Sequence, residues 1–351
     1  MEIVLAVISV VLILSVFLSQ IRKDFWIYKI MEYPRLQKLF LITIVVACWF
    51  LFWPQENIFY LILMGGLFLS GLLLLYKILP YTTLAKKEMI KVRSTNRENE
   101  LKVFSANVLQ DNQEYDRMIR QIKESDPDLV FLLETNATWA EATKVLEKDY
   151  PYTLLKPLEN TYGLLFYSRL KIENGKIVFL VKDGVPSIEA VVVLKSGKKV
   201  QLWGLHPEPP VPGENLYSTA KDKELMKVAL KAKECNLPCV VFGDLNDVAW
   251  SHTTELFRKT SELLDPRRGR GFYNTFSAHH WFIRFPLDYI FCSDHFGFIS
   301  MRRLPKNGSD HFATLTHLAL KEEIRHKQEA PKADSDDMKE AKELASQPLK
   351  E

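Results

Sequence analysis

Cysteine is scarce in this chain, and what there is excludes a paired zinc site. Of the four cysteines, Cys48 sits in a hydrophobic run, which leaves Cys235, Cys239 and Cys292 as an odd set that fixes no redox compartment. Cys235 and Cys239 flank Pro238 ahead of an apolar stretch, with no second pair to complete four ligands, so they read as small buried hydrophobes. Charge of one sign is scarce too: a formal net charge of +3 is too mild to mark nucleic acid as an electrostatic partner. A cleavable secretory signal, the rival reading of the first apolar run, is not expected, because no basic leader precedes Ile3 and no small-residue cleavage site follows that run. No internal repeat is evident.

Hydrophobic residues fill 47% of the 351 positions, enough for a sizeable core, and residues 1–80 hold much of the excess. Ile3 to Leu18 is broken only by Ser9 and Ser15, Leu39 to Trp53 only by Thr43, and Ile58 to Tyr76 carries no charge. A membrane span needs about 20 apolar residues, with about 17 as a lower limit. Residues 1–80 are therefore expected to form a transmembrane region of three helices, at 3–21, 37–54 and 58–79. Tyr33 and Lys38 are expected to lengthen the second helix by snorkelling. Arg22, Lys23, Lys29, Arg35 and Lys38 crowd the first loop, whereas Pro54 to Asn57 has no basic residue. By the positive-inside rule this places the first loop and the carboxy-terminal domain in the cytoplasm.

Residues 81–100 turn polar and charged, as a juxtamembrane linker would if it held the next domain off the bilayer. That domain, 101–320, opens with LKVFSANV, a strand, and then a helical stretch with Tyr115, Met118, Ile119 and Ile122 on one face. DLVFLLE reads as a buried strand, Trp139 to Leu146 as a helix and YGLLFYS as another strand. Ser187–Leu194 and Lys199–His206 read as a hairpin across Ser196 and Gly197. An amphipathic helix over 218–235 leads into PCVVFGDLND, after which LDYIFC, FGFISMRRL and FATLTHLAL make strands dominate. Alternating β and α units followed by further strands predict a layered α/β domain. The tail, 321–351, is rich in both charges and poor in large apolar residues, which predicts disorder.

Several strand ends carry polar residues suited to a metal or a phosphate. They are SAN at Asn107, LLET at Glu134, LHPEP at His206, GDLND at Asp244 and Asn246, PLDY at Asp288, and GSDH at Asp310 and His311. Phosphate-ester hydrolysis needs a cation, an activated water and a proton route to the leaving oxygen. Glu134 offers the oxygen ligand that Mg²⁺ prefers. Gly243 permits a sharp turn that exposes Asp244 and Asn246, and a carboxylate such as Asp288 on one imidazole nitrogen would fix the tautomer of His311 and favour its charged form.

In this order the motifs resemble the endonuclease/exonuclease/phosphatase superfamily, over roughly residues 100 to 320. The resemblance implies an α/β fold, a four-layer sandwich of two packed β-sheets flanked by helices, with the site at one end and Mg²⁺ or Mn²⁺ as cofactor. It also implies roles. Glu134 would be the principal metal ligand, with Asn107 and Asp310 assisting; Asp244 would align or deprotonate the attacking water, and Asn246 would bond the phosphate. Asp288 would pair with His311, and His206 would stabilise the phosphoryl group or protonate the leaving oxygen. A histidine at position 206 resembles DNase I, sphingomyelinases and inositol phosphatases rather than AP endonucleases, which carry a tyrosine there.

Substrate choice points to Arg267, Arg268 and Arg270, and to His279, His280, Trp281, Phe282 and Arg284 ahead of PLDY. Guanidinium groups suit phosphate oxygens, and exposed aromatics suit a membrane surface or a stacked base. The expected function is that of a membrane-anchored, bacterial-type, divalent-metal-dependent phosphohydrolase, a multi-pass protein of the inner membrane. Its partners would be the lipid bilayer and a phosphate-containing substrate, lipid-linked or otherwise close to the membrane. A membrane-tethered nuclease is the alternative, and a non-catalytic scaffold that keeps the fold is a third reading.

Overall fold

The computed structural model describes residues 2–52 and 57–350. The amino-terminal region holds α1 (Glu2–Leu18), the short α2 (Trp26–Ile30), α3 (Arg35–Leu51) and α4 (Ile58–Ile78), followed by one 3₁₀ turn, Leu79–Tyr81. The following domain contains β1 (Glu100–Asn107), α5 (Tyr115–Ser125), β2 (Leu129–Leu133), α6 (Ala137–Thr143), β3 (Tyr152–Lys156), β4 (Leu164–Ser168), β5 (Lys171–Val178), β6 (Ser187–Val193) and β7 (Lys199–Leu205). It continues with α7 (Thr219–Glu234), β8 (Cys239–Asp244), α8 (His252–Ser261), β9 (Asp288–Cys292), β10 (Phe296–Arg303), β11 (Thr314–Leu320) and α9 (Ser335–Ser346).

Two sheets stack face to face, one six-stranded in the order β10-β11-β1-β2-β4-β3 and one five-stranded in the order β5-β6-β7-β8-β9. β2, β4, β8 and β9 are buried at every position, as continuous apolar runs covered on both faces must be. Phe131, Phe166 and Phe242 meet edge-on or tilted between the sheets, with ring centroids 5.2 to 6.3 Å apart. Outside the larger sheet, α5 and α6 bring Met118, Ile122 and Trp139 against Val130 and Leu132. Outside the smaller one, α7 and α8 bring Leu225, Val228 and Phe257 against Trp203, Val241 and Phe291. The result is the expected two-sheet sandwich with helices on its outer faces.

Three elements of the domain escaped the sequence reading. β3 is an edge strand and half-exposed, so it lacks a clean apolar alternation. β5 is interrupted by a register shift between Glu173 and Lys176. α8 falls in a stretch to which no element was assigned; Ser251 starts it by accepting a hydrogen bond from the Thr254 amide at 2.9 Å.

The amino-terminal expectation needs a larger correction. Among the described residues, Ile58–Tyr81, 24 residues with mean hydropathy 2.4, is the one helix long and apolar enough to cross a membrane. α1 and α3 have 17 residues each, so the expected spans at 3–21, 37–54 and 58–79 reduce, among the described residues, to one candidate. Positions 53 and 54 and most of the loop after them lie outside the described residues. α1 ends early because Ser19 and Gln20 turn back onto the Val16 carbonyl, at 2.7 and 3.3 Å. Pro34 stands at the N-cap of α3, which starts at Arg35, ahead of the expected position 37, but already ends at Leu51 rather than 54. Tyr33 and Lys38 do not snorkel: Lys38 donates to the carbonyls of Ser15 and Met31, both at 2.8 Å, and Tyr33 reaches into the sandwich.

Residues 19–38 in fact clamp onto the domain. The Trp26 amide donates to the Leu216 carbonyl at 2.8 Å and the Ser218 amide to the Asp24 carbonyl at 2.7 Å. Arg35 donates to the Trp250 carbonyl at 3.0 Å, and the Trp250 indole to the Glu32 carbonyl at 2.8 Å.

Residues 81–100 do not stand the domain off either. Tyr81 and Met89 are buried in the core, the Tyr81 hydroxyl donates to the Ala249 carbonyl at 2.5 Å, and residues 90 and 92 exchange backbone hydrogen bonds with Phe298. Nor is the tail 321–351 structureless. Asp334 opens α9 with a capping box, Ala341 is buried, and Asp337 and Glu340 pair with Lys259 (2.9 Å) and His252 (2.6 Å). Its charges have folded partners, which composition does not reveal.

Candidate metal and phosphate site

Strand pairing gathers the polar strand ends at one edge of the sandwich. β1 and β2 run parallel with Asn107 opposite Leu133, so Asn107 and Glu134 leave the larger sheet together. β7 and β8 run parallel with Leu205 opposite Gly243, which brings His206 out beside Asp244. β8 and β9 are antiparallel with Asp244 directly opposite Asp288. Gly243 is required at its position: its φ is +137°, and an added Cβ would lie 2.0 Å from the Leu205 carbonyl oxygen. Glu134 and Asn246 hold left-handed φ values of +56° and +49°, backbone strain of the kind that collects at functional sites.

The side chains form a continuous chain of contacts. Asn107 Nδ2 donates to Glu134 Oε1 at 2.6 Å and to Asp244 Oδ2 at 3.1 Å. Asp244 Oδ2 lies 3.6 Å from His311 Nε2, whose Nδ1 meets Asp288 Oδ2 at 2.9 Å. The ligand atoms of Asp244, Asp288 and His311 all lie within 4.8 Å of one another. Ser309 fixes the loop that delivers the imidazole, donating to the Asn107 carbonyl at 2.8 Å and accepting from the His311 amide at 2.9 Å. Thr275 accepts from the Asp288 amide at 3.2 Å. Asp310 stands half-buried at the rim. The Asn246 side-chain amide donates one N–H to the Pro207 carbonyl at 2.9 Å and so ties the two loops together, which leaves its second N–H.

Burial sets the electrostatics. It pushes the Glu134 carboxyl up to about 7 against the hydrogen bond from Asn107, and it raises Asp244 as well. It pushes His206 down to about 4, so this imidazole is neutral near pH 7. Burial alone would lower His311 too, but the Asp288 and Asp244 carboxylates reverse the effect and hold it up at about 10. Two histidines in one cleft are thereby driven to opposite charge states, the pattern by which acid and base work is divided.

The arginine expectation is overturned. Arg267 is fully buried, makes a bidentate pair with Asp265 at 2.7 and 3.0 Å, and stacks over Tyr289. Arg268 is tied to Glu88 at 3.0 Å and Glu255 at 3.2 Å. Arg270 donates to the carbonyls of Pro266 (3.2 Å) and Met89 (2.5 Å). All three are engaged in holding the 81–100 segment or the core. Trp281, by contrast, is 80% exposed, beside exposed Phe282 and Ile283.

The profile of the endonuclease/exonuclease/phosphatase family matches residues 101–311. The chain belongs to this family. No curated protein gives a match. Among solved structures, a family protein from Bacteroides thetaiotaomicron aligns with a TM-score of 0.54 and 18% identity, covering 65% of this chain and 97% of that one. A family protein from Beutenbergia cavernae gives 0.51 and 17%, covering 64% and 72%. The human Nocturnin catalytic domain, with bound sulfate, gives 0.50 and 18%, covering 66% and 96%. At such identities the likeness concerns the fold.

Membership implies a divalent metal, and the residues fit one. Glu134, Asp244, Asp288 and Asp310 offer hard oxygen ligands, and among the described residues Asp288 Oδ1 is buried with no hydrogen-bond partner and His311 is the charged group that answers their negative charge. Two contributors were missed in the sequence. Tyr162 packs on His206 with ring centroids 5.4 Å apart and donates to Glu214, pinning the 207–215 wall; it stands first in YGLLFYS, where it read as a strand start. Tyr33 donates to the Asn246 carbonyl at 2.8 Å, and no motif surrounds it.

Proposed function

We propose that the protein is a divalent-metal-dependent phosphohydrolase acting on a phosphate ester or diphosphate carried by a lipid, with Mg²⁺ as the metal and the bilayer as its partner. The observation that carries this reading is the run from Asn107 to Asp288, in which buried carboxylates outnumber the one charged imidazole. Glu134, with Asp310 and Asn107 beside it, would hold the metal, which when bound supplies positive charge to the phosphoryl oxygens. Asp244 aligns the attacking water and takes up its proton. His311, charged and held by Asp288, donates a hydrogen bond to a phosphoryl oxygen, and neutral His206 orients the leaving oxygen from the other side. Asn246 offers its remaining N–H to the phosphate. His311 Nδ1 is already bonded to Asp288, so the Asp244/Asp288/His311 triangle serves proton transfer better than it serves metal binding.

Two features support a lipid substrate. α1, α3 and α4 share a buried seam through Val16, Trp49 and Leu67 while Phe40, Leu61, Ile62 and Phe68 point outward, as lipid-facing residues do. Gln37, one turn before Phe40, donates to the Phe282 carbonyl at 2.8 Å, which joins the exposed Trp281–Ile283 loop to that apolar surface. The same loop reaches the cleft, where the Ala278 amide donates to the Asp310 carbonyl. A nuclease reading loses its arginine cradle.

The test is full-length protein in vesicles, given phospholipid, isoprenoid diphosphate or plasmid DNA with Mg²⁺ or EDTA. Metal-dependent release from a lipid, lost in His311→Ala, is expected. Cleavage of DNA alone would make the protein a tethered nuclease, and inactivity without metal binding would make it a scaffold.

A further inference from the structure

A second polar cavity lies away from the cleft, at the foot of α4. Its volume is about 480 Å³, and it opens between the end of α1, the Arg22–Asp24 segment, Lys77 of α4 and α9. A neighbouring cavity of about 280 Å³ shares Arg22, Lys77 and His252 and continues around α4 towards Lys259 and Arg268. None of the residues from Asn107 to His311 that form the catalytic chain lines either one.

Most charges here are already answered. Lys29 meets Asp222 at 3.1 Å, Arg35 meets Glu32 at 3.2 Å, Lys350 meets Asp24 at 2.5 Å, and Glu340 takes both Arg22 at 3.6 Å and His252 at 2.6 Å. Lys23 and Lys77 have no acidic partner within 4.0 Å among the described residues. A third group is unanswered: Gln347 Nε2 lies buried on the cavity wall with no hydrogen-bond partner among the described residues. Two lysines without an acidic partner, Lys77 and the exposed Lys23 whose ammonium lies 6.0 Å from the centre of the Tyr28 ring, and one orphaned amide N–H₂ line a space large enough for a small anion.

We infer that this cavity binds the phosphodiester headgroup of an anionic phospholipid. Position selects a lipid. Lys77 is in the last turn of α4, and the turns before it expose Leu69, Leu72, Leu75 and Tyr76, so a phosphate at Lys77 can keep its acyl chains along the same apolar helix. Basic pockets at the ends of membrane helices favour anionic headgroups in this way. The inference shares with the functional proposal only the membrane placement of α4, and it is independent of catalysis. A bound headgroup would tie α4, the Arg22–Asp24 segment and α9 together, because each contributes to the wall.

The experiment uses the full chain in neutral detergent with EDTA, titrated with short-chain phosphatidylglycerol, short-chain phosphatidylcholine or inorganic phosphate. The readouts are melting temperature and amide-exchange protection of residues 335–346. The inference expects phosphatidylglycerol alone to raise both, with affinity at least about tenfold lower in Lys23→Gln/Lys77→Gln, the equivalent of about 1.4 kcal/mol. Lys77→Arg should retain binding and exclude a folding defect, and His311→Ala should bind as wild type does. Equal binding by wild type and the double variant would overturn the site. Phosphate binding as tightly as the lipid, or phosphatidylcholine binding equally well, would overturn the choice of ligand. If vesicle assays found no lipid turnover while this binding persisted, the functional proposal would fail and the site would stand.

Discussion

Two buried charge clusters lie on opposite sides of the Asn246 loop, and they are built on different principles. In the cleft, Glu134, Asp244, Asp288 and Asp310 face one charged imidazole, and Asp288 Oδ1 and His206 Nδ1 have no partner. Behind it, Lys221 is held by Asp247 and by Asp222 at 3.1 Å, while Lys29 meets Asp222 from the amino-terminal region at 3.1 Å. The second cluster is balanced, cation for anion, and joins the amino-terminal region to the sandwich. The first is left negative and incomplete. A buried charge costs free energy unless it is compensated, and a bound cation would supply the compensation the cleft's carboxylates lack. Arg267 and Asp265 follow the balanced pattern, which is why that arginine is structural despite its place in a basic motif.

The comparison breaks most sharply if the two clusters respond alike to mutation. Asp244→Asn should lower kcat by about 10²- to 10⁴-fold, the range of a lost general base. In EDTA its urea midpoint should be unchanged or higher, because a buried carboxylate with too little compensation has been removed. Asp222→Ala should do the reverse. It leaves Lys221 and Lys29 facing each other and should cost about 3–5 kcal/mol of stability, while the protein that remains folded keeps its turnover.

A smaller effect sharpens the contrast through pH. Glu134 ordinarily titrates at 4.5 and is pushed up to about 7 by burial. Its contribution to stability is therefore complete below 4.5 and is lost as pH rises through 7. A cation that accepts the ionised carboxylate offsets that loss, so Mg²⁺ should raise the melting temperature more at pH 8 than at pH 5.5, and the difference should vanish in Glu134→Gln. Smallest is Tyr33→Phe, which deletes one hydrogen bond to the Asn246 carbonyl. It should cost about 1 kcal/mol, seen as a roughly fivefold loss of kcat/KM with the metal response intact.

The sandwich was legible because its central strands are continuous apolar runs. Asn107, Glu134, His206 and Asp244 could be placed because they end or directly follow such runs, whereas Asp288 opens β9 and His311 sits in the loop before β11, so these two were placed by the order of the family's motifs. Arg267, Arg268 and Arg270 were misjudged because a guanidinium reads the same in sequence whether its partner is a substrate or Asp265. The tail misled for a similar reason, since Asp337 and Glu340 look solvated until Lys259 and His252 are found opposite them. The contact of Tyr33 was invisible because its partner lies 213 positions away, and hydropathy alone ran the first membrane segment past the serine that ends α1.

The central claim is that the negative excess in the cleft holds a divalent cation through Glu134. Its most direct test is Mn²⁺ titration of the full-length protein followed by electron paramagnetic resonance, with wild type beside Glu134→Gln and Arg267→Met. One tight ion in wild type and in folded Arg267→Met, lost in Glu134→Gln, is the predicted result. Binding that survives Glu134→Gln but disappears in His311→Ala would contradict it and move the metal to the Asp244, Asp288 and His311 triangle.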